Sequence, residues 1–148
     1  MSKTTLPLVY SCSGCSNVAQ LANTLAVRLD RAGLAEMSCI AGVGGHVQAL
    51  VSKARSGRPI LAIDGCPLHC ASACLAQHGV SADVHVTLST SGLRKRYRED
   101  CSAAEADALF ADMTRIVASD LGQPRRVQAG LVSRQPPPAQ ATGAQATD

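Results

Sequence analysis

Asp64-Gly65-Cys66-Pro67-Leu68-His69-Cys70-Ala71-Ser72-Ala73-Cys74 sets three thiols four residues apart, directly behind the apolar run Pro59 to Ile63. A short apolar run of this kind reads as a strand buried on both faces. Pro67 suits the first turn of a helix running to about Gln77 and stopped by Gly79. The same unit occurs once more near the start of the chain. Leu6 to Tyr10, apolar apart from Pro7, is followed by the tight loop Ser11-Cys12-Ser13-Gly14-Cys15-Ser16-Asn17. Ser16 or Asn17 can cap the next helix, on which Val18, Leu21, Ala22, Leu25 and Leu29 recur at helical spacing up to Gly33.

The remaining segments continue the alternation. Ala35 to Ala41 reads as a second strand carrying Cys39. Gly42-Val43-Gly44-Gly45 is a tight turn into a helix bearing Val47, Leu50, Val51 and Ala54. It lacks the Lys and Ser/Thr of a phosphate loop. Val84 to Leu88 alternates as an edge strand would. Ser102 and Glu105 form a capping box ahead of a helix with Ala106, Leu109, Phe110, Met113, Ile116, Val117 and Leu121 on its apolar stripe. Alternating strands and helices imply an α/β fold with right-handed crossovers. The expectation is a small open parallel sheet of four strands, order 2-1-3-4, with helices on both faces, Rossmann/flavodoxin-like. Residues 1–121 would be one cysteine-rich domain, and 122–148, rich in Pro, Ala and Gln, a disordered tail.

The order 2-1-3-4 puts strands 1 and 3 side by side, with the chain leaving them in opposite directions. A crevice then opens at their carboxyl ends, the usual ligand position of such sheets. Cys12 and Cys15 arrive there from strand 1, and Cys66 and Cys70 from strand 3. Four thiolates converging on one point suit a tetrahedral soft-metal site, zinc above all. Cys66 at a helix entrance and Cys70 one turn on would be about 6 Å apart along the axis, and Cys74 about 12 Å from Cys66. The expected ligands are therefore Cys12, Cys15, Cys66 and Cys70, with Asp64 and His69 orienting them, or His69 replacing a cysteine, and Cys74 packing within its helix. Helix starts also favour a reactive thiolate. If the site is redox-active, Cys15, Cys66 and Cys39 are the residues expected to react.

Composition limits the partners. The chain has 148 residues, seven cysteines, one Phe, two Tyr, no Trp and a net charge of +3. Arg125, Arg126 and Arg134 against Asp148 supply two of those charges within the last 27 residues, so the body is near neutral. The cluster Arg94-Lys95-Arg96-Tyr97-Arg98 has few aromatics beside it and reads as a solvated loop, with no nucleic-acid partner expected. No secretory signal is visible, and no run approaches the roughly 18 apolar residues that a membrane span needs. A cytoplasmic place follows as an expectation, and reduced thiols with it. An odd cysteine count there points to metal or redox use over disulfides.

Ser11-Cys12-Ser13-Gly14-Cys15, Cys39 with the turn Gly42 to Gly45, and Asp64-Gly65-Cys66-Pro67-Leu68-His69-Cys70 together resemble the DGC domain family. That family is named for its central Asp-Gly-Cys and described as zinc-binding on the strength of four cysteines. The resemblance spans about residues 6–120. It implies zinc held by Cys12, Cys15, Cys66 and Cys70. The expected function is a small cytoplasmic zinc-binding protein. A thiol redox or persulfide-transfer enzyme, with a protein partner in a sulfur or redox pathway, is the alternative. An iron–sulfur carrier on the same four cysteines is the third.

Overall fold

The computed structural model of the chain describes residues 5–121; the expected tail, 122–148, lies outside them. Four parallel strands, β1 (Leu8–Ser11), β2 (Glu36–Met37), β3 (Ile60–Asp64) and β4 (Val84–Thr87), form one sheet in the order β2-β1-β3-β4. Among the described residues the α-helices are α1 (Asn17–Arg31), α2 (Ile40–Gly44), α3 (Gln48–Ala54), α4 (Cys70–Ala76) and α5 (Ala103–Ile116); a short π-helical turn, Val117–Leu121, extends α5. This is the expected α/β architecture and strand order.

The two central strands alternate between two cores. Val9, Leu61 and Ile63 face Leu21, Leu25 and Leu29 of α1 and Leu109 and Met113 of α5. Leu8, Tyr10, Ile60 and Ala62 face Val43 of α2, Ala54 of α3 and Leu75 of α4. Alternate side chains of a strand point to opposite faces, so both faces are covered and both central strands are wholly buried. Burying these small aliphatic groups stabilises by about 25 cal/mol per Å² of apolar surface.

Element ends differ from expectation in four places, each for a local reason. Leu6 is exposed, and β1 begins only at Leu8, whose amide bonds to the Pro59 carbonyl (2.8 Å). Strand 2, expected over Ala35 to Ala41, shrinks to Glu36–Met37, because Ser38 and Cys39 turn away into α2. Of the glycines expected as a turn, Gly42 and Gly44 are thus part of α2 and Gly45 is its C-cap. A Cβ at Gly42 would stand 1.9 Å from Leu50 Cδ1, so the Leu50 side chain of α3 lies directly over this glycine and would have to turn aside for any larger residue. The helix expected from Pro67 begins at Cys70, after His69, which holds a left-handed backbone (φ 53°). The capping box of Ser102 and Glu105 forms as read. No helix among the described residues is long and apolar enough to cross a membrane.

Candidate functional site

Parallel register carries the two cysteine loops to one place. Ser11 pairs with Ile63, and one step on the Cys12 amide donates to the Ile63 carbonyl (3.0 Å). Cys12 is buried, and its Sγ accepts a hydrogen bond from the Gly65 amide (3.2 Å). Burial pushes the Cys12 thiol up to about 11; the Gly65 amide opposes this, and the nearby Asp64, Cys70 and Cys66 add to it. The charges of Cys66 and Cys70 are therefore felt at Cys12, whereas Cys15, one residue before the Ser16 cap of α1, is exposed.

Asp64-Gly65-Cys66 has a separate physical task at each residue. Asp64 is buried and accepts from the amides of Ala71 (2.8 Å) and Ser72 (3.2 Å), so its carboxylate caps the first turn of α4 from six residues upstream. Its second oxygen also accepts from His85 Nε2 (2.7 Å) on β4. Burial alone would raise this carboxyl. The bonds from His85, Ala71 and Ser72 outweigh burial and hold it below the ordinary carboxylate value. Gly65 is buried against α1: a Cβ there would meet Ala19 N and Val18 C at 2.7 Å, both backbone atoms. Cys66 is half-buried, and Lys95 Nζ donates to its Sγ (3.5 Å).

That lysine comes from the basic cluster read as a solvated loop; Arg94, Arg96, Tyr97 and Arg98 are exposed as such a loop requires, but its backbone is held in place. Residues 94–97 lie across the start of α1. Asn17 Nδ2 donates to the Arg94 carbonyl (2.9 Å), the Arg96 amide donates to Asn17 Oδ1 (2.6 Å), and the Asn17 amide donates to the Arg96 carbonyl (3.0 Å). Ser16 and Tyr97 form an antiparallel bridge. The cluster is a strap that places Lys95 on Cys66 and leaves Tyr97 and Arg98 bordering a surface depression with Cys15. Tyr97, whose ring centroid is 5.4 Å from Lys95 Nζ, and then Cys66 hold the ammonium above its usual value. Asn17, read in the sequence only as a possible helix cap, is instead buried and spends its side chain on the strap, while Ser16 caps α1.

The other expected residues divide as follows. Cys70, exposed, opens α4, and Cys74 lies a turn on, half-buried, with its Sγ where a Cβ on Gly44 would be 2.9 Å away. Cys39 is exposed at the N-cap of α2. His69 Nε2 lies 2.9 Å from Thr87 Oγ1, and its ring meets that of His85 edge-on at 4.7 Å. Among the described residues, no three His, Cys, Asp or Glu side chains stand close enough together to hold a metal ion. The thiols suit a soft ion in kind, but their spacing is not that of a closed coordination shell.

Comparison with known proteins bears on the whole of this region. The DGC domain model matches residues 8–113. A curated Pseudomonas aeruginosa protein, "Anaerobic and virulence modulator AnvM", is 69% identical over 112 residues, covering 76% of this chain and 86% of the relative. No solved structure matches.

Proposed function

This chain belongs to the DGC domain family, and on that premise we propose that it is a regulatory protein acting through the thiols of its crevice, with Cys66 as the reacting sulfur. The carrying observation is the Lys95 ammonium placed on Cys66 Sγ by a strap anchored at Asn17. A cation beside a sulfur favours its negative, nucleophilic form. Cys70, exposed four residues on, and the buried Cys12 are the neighbouring thiols that a modified Cys66 would meet. A relative named for modulation, and not for a reaction, agrees with control over chemistry of the chain's own.

Residue-resolved alkylation of the reduced chain tests this at neutral pH. Cys66 labels faster than the exposed Cys39, and Cys12 labels last. Lys95→Met slows Cys66 by roughly threefold to tenfold, the scale on which a neighbouring cation changes thiolate reactivity, and leaves Cys39 unchanged. A Cys66 no faster than Cys39, or indifferent to Lys95, defeats the reading.

A zinc-binding regulator is the second reading. It is favoured by the nearness of Cys66 and Cys70 to the buried Cys12; these three would hold the ion, with Cys15 the expected fourth. Zinc there would supply structural cross-linking of the β1 and β3 loops. Because no three ligands stand together in the described residues, this reading requires the sulfurs to draw in. Elemental analysis of chain purified without added metal decides it: about one zinc per chain, lost in Cys66→Ser, supports it. Iron with sulfide and a visible absorption band would mark the iron–sulfur alternative.

A further inference from the structure

We propose that the depression bordered by Cys15, Tyr97 and Arg98 receives a small anionic disulfide, which exchanges with Cys15. The inference rests on the reading that thiols of this crevice react, and it adds the class of molecule they meet.

Three observations converge on that depression. Its lining combines a sulfur nucleophile, an aromatic ring and a guanidinium. Cys15 and Tyr97 are both exposed, so the sulfur is open to solvent and the ring offers a face. The charge there is cationic and unspent. Arg96 is engaged by Glu99 (3.1 Å), Lys95 by Cys66 and Tyr97, and Arg98 is left without a carboxylate partner among the described residues. Cys15 also sits just ahead of α1, a helix of 15 residues whose first turn holds no acidic residue. Its amide end thus adds positive potential on the same side. The strap beside the depression is tied to Asn17 through backbone and side chain, and Tyr97 bridges Ser16, the residue after Cys15.

A carboxylate-bearing disulfide matches these features, with its anionic arm on Arg98 and its sulfurs at Cys15. The Cys15 thiolate attacks one sulfur. The new S–S bond to Cys15 forms as the disulfide's own S–S bond breaks, and the departing thiolate takes the electron pair. Cys15 sulfur is oxidised and the leaving sulfur reduced. The proton that left Cys15 goes to solvent, from which the leaving thiolate regains one.

The test compares oxidised glutathione, whose halves are anionic, with cystamine, whose halves are cationic. Both are applied to the reduced full chain, and the modified cysteines are mapped by mass spectrometry. Relative to Cys39 in the same digest, Cys15 reacts preferentially with oxidised glutathione. Arg98→Glu reverses that preference by roughly tenfold, as local charge changes encounter rates. Arg98→Gly, which suits the left-handed backbone here (φ 61°), removes the charge without conformational penalty and abolishes most of the preference. The proposal is overturned if wild-type Cys15 shows no charge preference, or if both Arg98 variants keep it. Failure of the Cys66 reading is seen separately, as a Cys66 rate equal to that of Cys39, so the two failures are distinct.

Discussion

After β3, Gly65 is wedged against the backbone of Val18 and Ala19, and Asp64 binds two amides of α4 and an imidazole of β4. After β1, Ser13, Gly14 and Cys15 are exposed, and Gln20 Nε2, donating to the Gly14 carbonyl (2.6 Å), ties the loop down from the outside. Two loops with similar cysteines are thus built to different tolerances. The β3 loop is a fixed wall, which keeps Cys66 under Lys95. The β1 loop offers Cys15 to solvent at little structural cost. The carboxyl end of the sheet thus holds Cys66 at a set position and leaves Cys15 exposed.

Gly65→Ala strikes the fixed wall, and its added methyl meets backbone atoms that have nowhere to move. It is expected to destabilise the chain by about 3 kcal/mol or more, read from the midpoint of denaturant unfolding. A loss under about 1 kcal/mol would show the wall to be pliable and would break the comparison.

Asp64→Ala removes the cap of α4 and leaves His85 without its acceptor, an expected loss of about 2–3 kcal/mol, since His85 is partly open to solvent. The same residue sets a pH response. Its carboxyl is depressed in the folded state. Its contribution is therefore complete above the unfolded carboxylate value of about 3.9 and is lost as pH falls through the lower folded value. Wild-type stability should drop in that acid window, and Asp64→Asn should flatten the drop. An unchanged acid limb would remove Asp64 from this role.

Asn17→Ala lies between the two loops, at the strap that joins them. Losing two side-chain bonds to the strap should cost about 1–2 kcal/mol, and Cys66 alkylation should slow to the Lys95→Met rate. A full alkylation rate in Asn17→Ala would show that the strap holds Lys95 without it. Gly14→Ala is the smallest: its methyl would lie 3.7 Å from Ala19 Cβ, an ordinary contact. A change within about 0.5 kcal/mol is expected, and a loss like that of Gly65→Ala would make the two loops alike.

The sequence made the strand order readable because two apolar runs, each followed by cysteines, left few ways to connect a parallel sheet. It also announced the capping box and the meeting of Cys12 with the Cys66 loop. The start of α4 was hidden for a physical reason: Pro67 is a good first-turn residue, but the actual cap is the Asp64 carboxylate, six residues upstream of the helix start, which accepts from the Ala71 and Ser72 amides after the chain folds back through a left-handed His69. Local rules do not contain that distance. The strap was hidden likewise, since its exposed charges say nothing of its backbone, which Asn17, 77 residues away from Arg94, holds. The ligand set Cys12, Cys15, Cys66 and Cys70 assumed equal convergence, whereas exposure separates Cys15 from Cys12.

The register between β1 and β3 also works as a ruler. Leu8 opposite Ile60 through Ser11 opposite Ile63 fixes the phase of the two cysteine loops by ladder bonds alone. The path between the strands, residues 13–59, sets no part of that phase at its far end. The turn at Ser56 and Gly57 lies at the sheet end remote from the thiols, and Gly57 (φ 83°) faces open space. A reporter peptide spliced into that turn would lengthen the path without shifting the ruler, giving a labelled chain whose crevice keeps its native spacing.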